Sequence, residues 1–75
     1  EDFINFMSKL LEHVQSQGSG HPKYQVQDET GPDHEKVFSV EVRITGQTMG
    51  AGQGRSKKEA QQMAARDALQ RLGQI

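Results

Sequence analysis

Cysteine is absent from this 75-residue chain, so neither disulfides nor thiolate metal ligands can reinforce it. The usual mark of a small secreted domain goes with it, and no signal-peptide pattern occupies the first residues. No apolar run approaches the roughly 20 residues of a membrane-spanning helix. The expectation is a soluble, cytoplasmic domain with no membrane partner. Catalytic patterns are missing too. His13, His21 and His34 fall on a helix and two loops, with no H-E-x-x-H and no carboxylate at ligand spacing. Neither a G-x-S-x-G elbow nor a Walker loop occurs. Gly50, Gly52 and Gly54 are spaced G-x-G-x-G outside any βαβ context, which does not match a dinucleotide site. They read instead as allowing a twisted strand end and a tight turn into a helix. The sequence predicts no catalytic site, no metal site and no cofactor.

Excess charge is also lacking. A net charge of −1 argues against a polyanionic partner if it is taken over the whole chain. Its distribution is less even. Residues 1–35 hold seven carboxylates against Lys9 and Lys23, a net of −5. Residues 36–75 hold seven cations against Glu41, Glu59 and Asp67, a net of +4. Such asymmetry can steer an anion toward one half of the molecule. The length suits one domain, residues 1–75, near the lower limit for a core without staples. The chain opens on Glu1 rather than methionine and reads as a piece of a longer protein.

What is present is organised by changes of period. Phe3, Phe6, Met7, Leu10, Leu11 and Val14 follow the spacing of an amphipathic helix, with Asn5, Ser8, Lys9 and Glu12 on its opposite face. Gln17 to Pro22 is rich in turn residues and ends that pattern. Tyr24 to Asp28 alternates weakly as a short strand, and Glu29 to Glu35 is a polar loop. Phe38, Val40, Val42 and Ile44 alternate with polar residues in the clearest strand of the chain. Thr45-Gly46-Gln47 supplies a hairpin turn, and Thr48 to Gly52 returns as a third strand. The last helix is predicted from Ser56 to about Leu72, with Gly73 as its C′ residue. Its alanines (Ala60, Ala64, Ala65 and Ala68) predict close packing. The order helix, three strands, helix predicts an α+β (α-β-β-β-α) sandwich, a three-stranded antiparallel sheet with both helices on one face. About a dozen large apolar side chains serve that core, enough for marginal stability.

The most informative stretch is Gly50 to Ala60. Ser56 and Glu59 form an S-x-x-E capping box, in which the serine accepts from the Glu59 amide and the glutamate reaches back to the Ser56 amide. Lys57 and Lys58 then occupy the first turn, where the helix dipole disfavours cations. A well-capped helix that carries cations at its positive end is suited to holding an anion such as phosphate. The plainer reading is a solvated helix with an ordinary lysine pair.

Four separated features carry a family resemblance: the element order, the loop Gly31-Pro32-Asp33-His34, the strand beginning Val37-Phe38, and Gly52-Gln53-Gly54-Arg55-Ser56-Lys57-Lys58-Glu59-Ala60. Together they resemble the double-stranded-RNA-binding domain over nearly the whole chain, most of all the C-terminal domain of bacterial ribonuclease III. The resemblance implies binding of A-form RNA across two successive minor grooves and the phosphates between them, over ~16 bp. It implies a first contact region at Asn5, Ser8, Lys9 and Glu12. A second would be the loop Pro32-Asp33-His34, through its carbonyls and imidazole. A third would be Lys57, Lys58 and Gln61 on phosphate. The chain departs from the family pattern at Ser8 and Lys9, where Gln and Glu are frequent, and at Gln61, where many relatives have a third lysine. The implied partner is double-stranded RNA, with a covalently linked nuclease domain in a homodimeric parent. That absent domain, not this chain, would need Mg²⁺. On the residues alone, the first-helix positions read equally as a solvent face and His34 as a turn cap. The alternative function is a domain of this fold used for protein–protein interaction or dimerisation. The lysine pair and the Gly-Pro loop speak against it.

Overall fold

A computed structural model describes residues 4–75, and Phe3, which the periodicity assigns to the first helix, lies outside them. The first helix, α1, spans Phe6–Ser16. Asn5 is its N-cap rather than a residue of its polar face, and the Asn5 side chain accepts from the Ser8 amide at 3.1 Å. Leu10 and Val14 are buried from α1, with Phe6 and Met7 partly so.

Three antiparallel strands follow, β1 (Lys23–Thr30), β2 (Val37–Ile44) and β3 (Gln47–Gly54), in the order β1-β2-β3. The strand β1 is longer than its weak alternation predicts, because pairing with β2 rather than apolar patterning sustains this polar edge strand. Gln27 forms a bulge between Val26 and Asp28. Thr45 and Gly46 both have positive φ, 51° and 80°, the combination that lets a two-residue hairpin follow the twist of its strands.

The second helix, α2, spans Lys57–Arg71. Gly73, at φ 75°, ends it as expected. The register explains how α2 reaches the sheet. Phe38, Val40 and Val42 of β2 pair with Gly54, Gly52 and Gly50 of β3. From Gly50 to Gly54 the inward face of β3 therefore carries no side chains, and the α2 backbone occupies the space. A Cβ at Gly50 would lie 2.6 Å from the Ala64 carbonyl oxygen, and one at Gly54 2.7 Å from the Ala60 nitrogen. One at Gly52 would overlap the backbone of Met63 and Ala64. None of these three glycines has positive φ. Their role is close approach of strand to helix, not the twisted strand end expected from the sequence. Ala60, Ala64, Ala65 and Ala68 are fully buried against them and against α1 and β2, completing a core with Leu10, Val14, Val40, Val42, Ile44 and Leu69.

At the free edge of β3, the Ala51 amide donates to the Asp67 carboxylate of α2 at 2.9 Å, which occupies a backbone donor that would otherwise invite strand pairing. On the outer face of the sheet, Glu41 accepts from Gln27, Arg43 and Thr48. Among the described residues no helix is long and apolar enough to cross a membrane.

Candidate nucleic-acid interface

Local chemistry builds the first turn of α2. Ser56 sits in extended backbone, and its Oγ accepts from the Glu59 amide at 3.1 Å. The Glu59 carboxylate reaches one residue further back than the capping box predicts, accepting from the Arg55 amide at 2.5 Å. Arg55 is thereby tied into the cap in place of the serine amide. Lys57 and Lys58 are both exposed, and among the described residues neither lies within ion-pair distance of a carboxylate. Gln61 is half-buried behind them.

Helix α1 delivers only part of its predicted contact set to the same place. Asn5 and Ser8 line a groove of about 410 Å³ together with Met7, Leu11, His21, Pro22, Tyr24 and Lys58. Lys58 of α2 and Ser8 of α1 thus share one groove although 50 positions apart in the chain. Lys9 and Glu12 are exposed but belong to another, shallower groove with His13, Ser16, Leu69 and Gln74. The structure brings Asn5 and Ser8 to Lys58 and turns Lys9 and Glu12 toward the C-terminal part of α2.

The loop after β1 is held by geometry that requires glycine. Gly31 has φ 93°, and a Cβ there would sit 2.5 Å from the Glu35 carbonyl oxygen. Pro32 leads into a single 3₁₀ turn, Asp33–Glu35, closed by the Glu35 amide donating to the Pro32 carbonyl at 2.8 Å. That bond engages one lone pair of the Pro32 carbonyl, whose residue is itself exposed. Lys36 pins the turn from outside, with its Nζ 3.1 Å from Glu29 and 3.8 Å from Asp33. The Asp33 and His34 side chains project into solvent.

Sequence reasoning missed four contributors. His21 and Pro22 form the wall of the α1–α2 groove, but in sequence they read only as breakers. Gln62 is buried between the helices and belongs to no motif of the sequence. Tyr24 also lines the groove, and its hydroxyl is buried with no hydrogen-bond partner among the described residues. Burial pushes its pKa up to about 12, because the phenolate would lose its hydration.

The family model for the double-stranded RNA binding motif matches residues 6–72. The chain belongs to the double-stranded-RNA-binding family. A Ribonuclease 3 of Geobacillus thermodenitrificans is 49% identical over 69 residues, which cover 92% of this chain and 28% of that protein. One from Streptococcus pneumoniae is 46% identical, covering 95% of this chain and 31% of its own length. The chain therefore spans less than a third of these relatives. Among solved structures, Arabidopsis HYL1 superposes with a TM-score of 0.79 at 31% identity, covering 91% of this chain and 96% of that one. The Dicer of Pichia stipitis reaches 0.70 at 37% identity, covering 87% of this chain and 31% of its own. These likenesses confirm the α-β-β-β-α sandwich and make the chain a domain of the RNA-binding kind.

Proposed function

We propose that this domain holds A-form RNA duplexes by shape, as the RNA-binding module of a ribonuclease III. The carrying observation is the shared groove of Ser8 and Lys58, with two lysines at a capped helix start that pair with no carboxylate among the described residues, and the glycine-locked His34 turn on the same chain. A-form RNA hides its base edges in a deep, narrow major groove and presents 2′-hydroxyls in a wide, shallow minor one. Small polar groups such as Ser8 and the exposed His34 imidazole suit the minor groove. Lys57 and Lys58 suit phosphate, which they meet as point charges beside free helix amides. The parent assignment rests on the Ribonuclease 3 relatives, of which this chain matches under a third. The nuclease, its Mg²⁺ and its dimerisation belong in this reading to the remainder of such a protein.

A gel-shift comparison of one sequence as RNA duplex, DNA duplex and RNA–DNA hybrid tests the reading. RNA should bind far more tightly than DNA, with the hybrid between them. Equal affinity would reduce the domain to a generic cation patch. Absence of RNA binding with dimers in sedimentation would instead make it an interaction module.

A further inference from the structure

Gln62 is the buried polar side chain among the described residues, 9% exposed on a helix face otherwise built of alanine and leucine. A buried amide is costly unless both its ends find partners. Gln62 finds both on α1 and its cap. Its Oε1 accepts from the Met7 amide at 3.2 Å, and its Nε2 donates to Asn5 Oδ1 at 3.3 Å. The same Oδ1 accepts from the Ser8 amide. Two of the amides left without partners at the start of α1 are thus satisfied, one by the helix's own cap and one from across the fold.

The position of this bridge gives it consequence. Gln62 lies one helical turn beyond Lys58, and Asn5 lies one turn before Ser8. One side chain therefore ties the start of α1 to the start of α2, the two elements whose Ser8 and Lys58 share the groove. The apolar contacts around it, from Phe6, Met7 and Met63, are non-directional and would tolerate a slide of one helix along the other. Hydrogen bonds have a narrow range of distance and angle and would not. We propose that Gln62 is a positioning residue for RNA recognition, setting α1 against α2 so that Ser8 and Lys58 meet one duplex at a fixed spacing. The inference rests on the RNA-binding reading above.

The test uses Gln62→Met, which keeps the length of the side chain but neither donates nor accepts at this site. Wild type and variant are titrated with RNA and DNA duplexes longer than ~16 bp, at a temperature where circular dichroism shows both folded. The variant should bind RNA about tenfold more weakly, a factor that follows from losing one or two hydrogen bonds' worth of alignment. Its salt slope should be unchanged, because Lys57 and Lys58 still reach phosphate. Its preference for RNA over DNA should shrink by the same factor. The loss should also be shared with Ser8→Ala, so that the double variant is no weaker than the weaker single one, whereas it should add to that of Lys57→Ala. Gln62→Leu, which fills the same space, carries the test if Gln62→Met does not fold. A folded variant that binds RNA like wild type overturns the inference, as does a loss that simply adds to that of Ser8→Ala. Wild type without a preference for RNA would overturn the underlying reading and this inference with it. A preference kept equally by wild type and variant overturns the inference alone.

Discussion

Lys57 and Lys58 stand where the helix dipole least favours cations, with no carboxylate among the described residues in ion-pair reach. Nothing in the fold explains them, which is why they are assigned to phosphate. Replacing both by alanine should weaken binding to every duplex sequence about equally and lower the salt slope by about 1 for each phosphate no longer neutralised. An unchanged slope in salt-series titrations would remove the assignment. His34 differs in kind, since its turn is locked from within by Gly31 and Pro32 while the imidazole stays exposed. His34→Ala should cost about 1–2 kcal/mol of RNA affinity and almost no stability. A large drop in melting temperature with unchanged affinity would make His34 a structural residue. Tyr24 offers a spectroscopic test, being the single tyrosine of a chain without tryptophan. Its folded pKa of about 12 lies above the ordinary value of 10.0. The unfolded chain therefore loses this proton first as pH rises. Stability from this group is complete below pH 10.0 and declines as pH approaches 12, by about 2 kcal/mol once solvent screening is allowed for. Phenolate absorbance should titrate late and together with unfolding, whereas an early midpoint in a still-folded protein would contradict the burial.

At the scale of elements, the junction of β3 and α2 carries the fold. Gly50, Gly52 and Gly54 meet Ala60, Ala64 and Ala68 with no room for a methyl group. Gly52→Ala should destabilise the domain by at least about 2 kcal/mol, lowering the melting temperature by on the order of 10 °C. A melt within a degree or two of wild type would show that the junction yields. Half of this junction was legible in the sequence, because alanines at helical spacing signal close packing. The glycines were not, because alternate glycines in a strand look the same whether they free the backbone or admit a neighbour. Only the register of β3 against β2 separates the two. Asn5 and Glu59 show a similar limit. The capping role of Glu59 follows from the S-x-x-E spacing, whereas Asn5 reads in the sequence as part of the polar face, and which amide each satisfies depends on where the helix begins. Gln62 was hidden because α2 packs through alanines, so a glutamine on its inner face does not interrupt any large-residue pattern.

For the whole molecule, element order, the Gly-Pro-Asp-His loop and the lysine-bearing helix start were enough to recognise the family, since each is local and lies in sequence order. Which of the α1 residues join the lysines was not legible. It depends on how α1 rotates against α2, and that is decided by long-range contacts such as Asn5 with Gln62. In the proposed binding mode one rigid domain reads two successive minor grooves and the phosphates between them. The direct measurement is a titration against RNA duplexes of increasing length with matched ends. Affinity should rise steeply as duplexes approach ~16 bp and then level, apart from the statistical gain of overlapping sites. A smooth increase in proportion to length, beginning with duplexes too short to present a second minor groove, would contradict it.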